Sequence, residues 1–329
     1  MKNLLCLICF SICIHAKGQF APQVGHAGTT AVYKDSSIFM TWGDSITIKR
    51  GWMDIADTTL GYAMFGNTNS GLGKADGDVI SLGDAGEAIL YFSNPIVDKP
   101  GADFAIFENG FANPLESSLA YLELAYVEVS NDGIQYFRFP SFSQLDTSVQ
   151  IAGTGEYLNA SKIHNLAGKY ISQYGTPFDL QDLSNEVGLD LQNIHFVKII
   201  DVVGTINPPF FSTDNLNHKI NDPYPTPFQT GGFDFDAIGI IHPKYPNQIN
   251  TISNEETFAI YPNPCLDNLY ISLNEKINTL QVFSTDGQCV LFCNQDLSAI
   301  DISKLPTGIY CITIRTENNK YFNKAFLKK

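Results

Sequence analysis

Residues 19–250 of this 329-residue chain have little positive charge and no cysteine. They hold 26 acidic against 11 basic side chains, and only 16% of the whole chain is charged. Such an acidic region repels phosphate backbones and anionic lipid, so we predict that it binds no nucleic acid. Without cysteine it has no thiol nucleophile, no cysteine metal site and no disulfide, and its hydrophobic core must stabilise it.

Familiar catalytic motifs are also missing. The sequence contains no G-x-S-x-G, no H-E-x-x-H and no P-loop, and the five histidines of residues 19–250 have no metal-ligand spacing. A glycoside hydrolase, however, needs only two carboxylates about 5–10 Å apart. Twenty-six acidic residues leave that activity open as an alternative.

Long apolar runs are absent except near the start, where residues 4–14 are apolar. This run follows a short basic segment and precedes the small residues Ala16 and Gly18, the layout of a secretory signal peptide at residues 1–18. A helix of this length cannot cross about 30 Å of hydrocarbon, so we predict no transmembrane segment.

Aromatic and turn-forming residues are plentiful, with 23 Phe, 15 Tyr, 26 Gly and 16 Pro. This composition indicates an all-β protein. Asp132-Gly133 between two β-prone runs predicts a hairpin. Further predicted strands cover residues 87–92, 102–107, 196–203 and 233–241. Only two short segments, residues 160–174 and 179–187, have helix-like spacing.

The end of the chain carries a set of motifs in a fixed order. These are YPNP at residues 261–264, STDGQ at 284–288, ISKLPTGIYCITI at 302–314, and a last strand that ends in lysines. Together they resemble the type A C-terminal sorting domain of the Bacteroidetes type IX secretion system, here residues 257–329. Residues 246–256 show no periodicity and are predicted to be a linker.

The resemblance implies a small immunoglobulin-like β-sandwich and two partners, the type IX secretion machinery and its sortase. It also implies export across the inner and outer membranes to the cell surface or the extracellular space, followed by removal of the domain. Four cysteines lie in this tail: Cys265, Cys289, Cys293 and Cys311. They either form disulfides or pack as small apolar side chains.

Residues 19–245 carry a second resemblance. The segments VEVSNDGIQYFRF, VKIIDVVG and GGFDFDAIGII resemble strands of discoidin or galactose-binding-like domains, which implies a jelly-roll β-sandwich. SLGDAGEAILYFSNPI, GADFAIFENGF and INDPYPTPFQTGGFDFDAIGI resemble a group of uncharacterised Bacteroidetes cell-surface proteins over residues 45–242. Some members of that group occur with corrinoid uptake systems, which implies ligand capture.

Several acidic residues stand beside predicted strand ends and predict a structural Ca²⁺ site. Calcium takes six to eight oxygen ligands from carboxylates, amides and carbonyls on turns. The alternative is that Asp-Gly pairs form turns and acidic residues solvate loops. The predicted ligands are Asp76, Asp78, Asp84, Asp234 and Asp236.

A ligand site is predicted from aromatic residues in Gly- and Pro-rich loops and from a Glu-Asn pair after a buried strand. A carboxylate such as Glu108 needs a partner there, because an unpaired buried one would cost several kcal/mol. The predicted residues are Trp42, Trp52, Glu108, Asn109, Phe111, Tyr224 and Phe228.

We therefore predict a non-catalytic surface protein that binds a glycan or a corrinoid-type nutrient. Two alternatives stay open, a carboxylate-dependent glycoside hydrolase and a purely structural or adhesive protein. A binding protein predicts a groove lined by the loop aromatics, and a hydrolase predicts facing carboxylates, one with a raised pKa. A structural protein predicts flat sandwich ends without a pocket.

Overall fold

The computed structural model describes residues 20–43, 45–153, 155–245, 258–285, 288–294, 298–317 and 321–329. The predicted signal peptide, the predicted linker and the Asp286-Gly287 turn lie outside these ranges. The chain divides into two compact units between Asn247 and Gln248. No helix within the described ranges is long and apolar enough to cross a membrane.

The described part of the first unit consists of short strands and four 3₁₀ turns. The strands are β1 Val32–Tyr33, β2 Thr41–Trp42, β3 Ile46–Lys49, β4 Ile80–Ser81, β5 Glu87–Ile96, β6 Phe104–Glu108, β7 Phe111–Ala112, β8 Leu119–Tyr121, β9 Ala125–Ser130, β10 Phe137–Arg138, β11 Phe142–Ser143, β12 Leu158–Asn159, β13 Ile163–His164, β14 Tyr174–Phe178, β15 Ile194–Asp201 and β16 Asp234–Ile240. The 3₁₀ turns are Thr58–Leu60, Thr68–Gly71, Ala160–Lys162 and Leu180–Leu183.

Two antiparallel sheets form most of this unit. One has the strand order β1-β14-β6-β16-β2, with β4 also paired to β16, and the other has the order β10-β9-β15-β5-β3. Large apolar side chains from both sheets make up the main core, with Phe104 stacked on Phe178 at 5.5 Å between ring centroids. The predictions of an all-β fold and of the β9–β10 hairpin are confirmed.

Strands β6 and β16 are buried at every residue because both faces of the sheet are covered at this point. Phe104 and Ile106 face the main core, whereas Phe107 faces a smaller cluster with Phe39 and Trp42. Trp42 lies in β2, with its ring 5.4 Å from that of Phe107. It therefore packs as a structural side chain rather than standing in a loop as the sequence suggested.

The two segments with helix-like spacing contain only the single turns Ala160–Lys162 and Leu180–Leu183. Asn165 and Gln173 have φ values of 50° and 72°, a left-handed conformation that a right-handed helix cannot include. The spacing reflects apolar side chains that are buried in two places: Ile163 and Leu166 pack in a second apolar cluster, whereas Leu180 and Leu183 pack in the main core. The second cluster supports a small sheet of order β12-β8-β7.

The second unit has two small antiparallel sheets, of order β17-β18-β21 and β20-β19-β22-β23. Their strands are β17 Ala259–Tyr261, β18 Asn268–Ser272, β19 Ile277–Ser284, β20 Cys289–Cys293, β21 Ala299–Asp301, β22 Gly308–Thr316 and β23 Tyr321–Lys328. The unit has its own apolar core, which includes Leu280 and Ile312. All four cysteines are free thiols, and of these Cys265 packs in that core.

Candidate functional site

The end of β6 and the start of β16 lie side by side, because these antiparallel strands pair Glu108 with Phe235. This pairing brings Asn109 next to Asp234, although 125 residues separate them in the sequence. The Asn109 Nδ2 donates a hydrogen bond of 2.8 Å to Asp234 Oδ2. The Ser81 hydroxyl on β4 donates to Asp234 Oδ1.

Glu108 is buried beside this pair. Its Oε2 accepts a 2.7 Å hydrogen bond from the Gly110 backbone, and its Oε1 has no partner among the described residues. Burial raises the pKa of Glu108 well above its usual value, and the nearby Asp234 raises it further. Burial also raises the pKa of Asp234, against the opposing hydrogen bonds from Ser81 and Asn109. Neither carboxyl is paired with a basic side chain in the described structure.

A cleft of about 330 Å³ opens at this end of the sandwich, and we call it the aromatic cleft. Phe111 and Tyr121 from the β7–β8 hairpin stack at 5.1 Å between ring centroids, and Phe228 comes from the loop before β16. The side chains that line it include Asn109, Phe111, Tyr121, Glu123, Phe228 and Asp234. The cleft thus combines aromatic rings with two carboxylates and an amide.

Glu123 is the lining residue that sequence reasoning missed. Only 5% of it is exposed, and its carboxylate accepts no hydrogen bond from the described residues. Burial raises its pKa well above the usual value, and Asp234 and Glu108 add to the effect. The signal in the sequence was the alternation of side-chain direction along residues 121–124. Leu122 and Leu124 pack in the second apolar cluster, which turns Glu123 to the face of Tyr121.

A second, larger cleft of about 710 Å³ lies around Trp52, and we call it the Trp52 cleft. The Trp52 ring stacks on Tyr62 with the ring centroids 4.1 Å apart. Asp84 lines the cleft, and its Oδ2 accepts a 2.8 Å hydrogen bond from the Ile55 backbone. Burial raises the pKa of Asp84 to about 7, although that hydrogen bond opposes the change.

The predicted ligand-binding residues are therefore divided between several places. Asn109, Phe111 and Phe228 line the aromatic cleft, whereas Trp52 lines the other. The Tyr224 hydroxyl donates a 2.7 Å hydrogen bond to Asp54, near the Trp52 cleft. Trp42 packs in the smaller cluster with Phe39 and Phe107, and Glu108 is buried without lining either cleft.

The five predicted calcium ligands do not surround one point. Asp76 and Asp78 are exposed, and the Asp236 carboxylate accepts 3.2 Å hydrogen bonds from the Asp76 and Gly77 backbones. Asp84 and Asp234 line different clefts. The prediction that these five residues bind one ion needs correction. Asp236 fixes the turn at 76–78, and Asp84 and Asp234 lie in two different clefts.

Within the described ranges, one group of three acidic residues places its carboxylate oxygens within 4.8 Å of one another. It consists of Asp98, Asp103 and Asp179. Both Asp103 oxygens already accept hydrogen bonds, from the Leu180 backbone at 2.8 Å and from His242 Nδ1 at 2.8 Å. The Asp103 carboxylate is therefore already held by donors of the protein.

Residues 259–328 match the family model described as a secretion system C-terminal sorting domain. This match confirms the resemblance of the tail. A sorting domain of this type implies export through the type IX secretion system to the cell surface or extracellular space. The likeness of the first unit to discoidin domains stays a prediction.

A search of curated proteins found no match. Among solved structures, one similar chain is PorZ, a surface component of the type IX secretion system of Porphyromonas gingivalis, with 10% identity and a TM-score of 0.21. Another is a Ruminococcus gnavus beta-glucuronidase, with 11% identity and a TM-score of 0.18. The alignments cover 78% and 74% of this chain, but only 39% and 35% of those chains. At these TM-scores neither likeness supports a conclusion about function.

Proposed function

We propose that residues 19–245 form a surface-displayed, non-catalytic domain that binds a small ligand in the aromatic cleft. The supporting observation is that Phe111, Tyr121 and Phe228 line the same cleft as two buried carboxylates. Ligand pockets in proteins combine apolar and aromatic walls with a few polar groups in this way. After export, the sorting domain is expected to be removed by the sortase.

The sizes of the two clefts favour different ligands. Pockets for drug-sized molecules measure about 300–1,000 Å³, so the aromatic cleft suits a small molecule or the terminal unit of a glycan. A corrinoid macrocycle is better matched to the Trp52 cleft, which is more than twice as large and presents the stacked Trp52 and Tyr62 rings.

The test is a thermal-shift screen of the mature chain against glycans and corrinoids. A ligand that binds only the folded state adds about 2.7 kcal/mol of stability at a hundredfold excess over its Kd. Phe228→Ala should weaken binding in the aromatic cleft by about fivefold or more, since a stacking aromatic contributes about 1 kcal/mol or more. The matched control is Phe210→Ala, a partly exposed phenylalanine that lines neither cleft. If no ligand shifts the melting temperature, the proposal is wrong.

One observation favours glycoside hydrolysis as the second candidate. Glu123 and Asp234 line the same cleft, and burial raises the pKa of both, as a general acid requires. An aryl-glycoside panel tests this activity. If the protein is a hydrolase, Glu123→Gln and Asp234→Asn should each lower kcat by at least about 100-fold while substrate binding persists. If the unmodified chain shows no turnover, the hydrolase candidate is rejected.

A structural calcium ion remains part of the proposal without an assigned ligand set. The acidic first unit carries many carboxylate and carbonyl oxygens on loops, which are the groups that calcium prefers. Removal of a structural ion with EDTA should lower the melting temperature of the mature chain, and added CaCl₂ should restore it. An unchanged melting temperature after prolonged EDTA treatment would contradict this part.

A further inference from the structure

We propose that the aromatic cleft binds a positively charged organic amine, with the ammonium group held by Glu123 and Asp234. This inference rests on the proposed function and names the class of its ligand. Three features of the cleft support it. Its lining is acidic and contains no basic residue, the Glu123 carboxyl has no hydrogen-bond donor among the described residues, and aromatic rings are exposed in its walls.

The lining of the cleft is acidic. Glu123 and Asp234 contribute two carboxyl groups, and no lysine, arginine or histidine is among the described residues that line it. The Arg50 guanidinium is the basic group whose charge acts on Asp234, yet it donates its hydrogen bonds to backbone carbonyls, including that of Gly66 at 2.6 Å. The described cleft therefore has no internal counter-ion.

Glu123 is a buried carboxyl group without a hydrogen-bond donor. The described residues supply no donor to it, although it is nine-tenths buried and lines the cleft. Glu108 Oε1 and Asp222 Oδ1 are fully buried without partners, and both carboxyls oppose a negative charge on Glu123. A buried carboxylate without partners is costly, and an ammonium group supplies up to three donors and the opposite charge. A neutral sugar hydroxyl supplies only the hydrogen bond.

The walls favour an organic cation over a metal ion. Phe111 is 54% exposed and Phe228 is 50% exposed, so each ring leaves surface open to a ligand, although one face of Phe111 stacks on Tyr121. An aromatic face attracts an ammonium group electrostatically. Calcium needs six to eight oxygens, and no three carboxylates of this cleft meet within 4.8 Å.

The surrounding charge also favours a cation. Residues 19–250 hold 26 acidic and 11 basic side chains. A field of this sign raises the local concentration of cationic ligands and speeds their association, most strongly at low salt. Neutral or anionic ligands gain nothing from it.

The experiment compares cyclohexylammonium with cyclohexanol, two probes of similar shape that differ in charge, by calorimetric titration of the mature chain. The ammonium probe should bind at least about tenfold more tightly, as expected for one charge pair plus a cation–π contact. Glu123→Gln should reduce this preference to less than about threefold. Glu116→Gln is the matched control, because Glu116 is exposed between β7 and β8 and lines neither cleft. It should keep the preference.

Equal affinity for the two probes would overturn the inference, as would a Glu123→Gln variant that keeps the full preference. Binding of CaCl₂ without any binding of the ammonium probe would overturn it in favour of a metal site. If Glu123→Gln does not fold, Phe228→Ala replaces it, and it must weaken binding of the ammonium probe more than binding of cyclohexanol.

If neutral glycans bind and Phe228→Ala abolishes that binding, the proposed function stands while this inference falls. If no probe or glycan binds, both fall.

Discussion

Nine carboxyl groups in the described part of the first unit are buried by the fold. Burial raises the pKa of eight of them, which are Asp84, Asp103, Glu108, Glu123, Asp201, Asp222, Asp234 and Asp236. Several accept backbone hydrogen bonds, as Asp201 does from Phe233 at 2.7 Å and from Ala85 at 3.0 Å. Burial is nevertheless the largest effect on each of these eight pKa values. Their protonation is therefore coupled to folding.

The first prediction concerns pH. Carboxyl groups of the unfolded chain titrate near about 4, whereas the folded state raises the pKa of Asp236 to about 6 and of Asp84 to about 7. The resulting stability is fully present below the unfolded pKa and is lost as pH rises through the folded values. The melting temperature of the mature chain should therefore be higher at pH 5 than at pH 8. A scan that rises with pH over this range would contradict the assignment.

The second prediction isolates one of these groups. Asp84→Asn mimics the protonated carboxyl and keeps an oxygen that can accept from the Ile55 backbone. The variant should be more stable than the unmodified chain at pH 8, by at most a few kcal/mol, and should lose part of the pH dependence. Urea unfolding at pH 5 and pH 8 measures both effects. Asp78→Asn, at an exposed aspartate, should change neither.

At the scale of elements, the loop between Asp222 and Phe233 separates the two clefts. Phe228 lines the aromatic cleft, and the next carbonyl, of Gln229, accepts a hydrogen bond from Met64, which lines the Trp52 cleft. The loop is fixed to the β4–β5 connection by a 3.0 Å hydrogen bond from the Gly83 backbone to the Gly231 carbonyl. Its position therefore sets the shape of both clefts.

The third prediction tests this attachment. Gly232 has a φ of +73°, and a Cβ there would meet the Gly83 backbone at 2.8 Å. Gly232→Ala should destabilise the first unit by about 2 kcal/mol or more, because backbone strain and steric overlap add. Gly188→Ala is the control, since Gly188 has a φ of +96° with nothing within 4 Å and suffers only the strain. Equal losses in the two variants, measured by urea unfolding, would show that the close approach is unimportant.

Local sequence patterns predicted much of the fold but little of the site. The continuous apolar run of β6 predicted a strand, because such runs are typical of strands covered on both faces. The aromatic cleft depends on the pairing of Glu108 with Phe235, which no local pattern specifies. Glu123 was overlooked because its neighbours are core leucines, and Trp42 was misplaced because β2 has only two residues.

At the scale of the whole molecule, each unit has a separate apolar core. The fourth prediction is that a chain ending at Asn247 folds without the tail and keeps the melting temperature of the first unit within a few degrees. The reason is that burial of apolar area within one unit supplies most of its stability. Calorimetry of the truncated and full chains measures this. An unfolded truncated chain would show that the first unit depends on the tail.

The chain contains two tryptophans, and the fold assigns them to different neighbourhoods. Trp42 packs on Phe107, the residue before Glu108, whereas Trp52 stacks on Tyr62 in the larger cleft. Each indole is thus an intrinsic optical reporter for its own surroundings. In single-tryptophan variants, emission from Trp52 would follow occupancy of the larger cleft, and emission from Trp42 would follow rearrangement of the strand that ends beside Asp234.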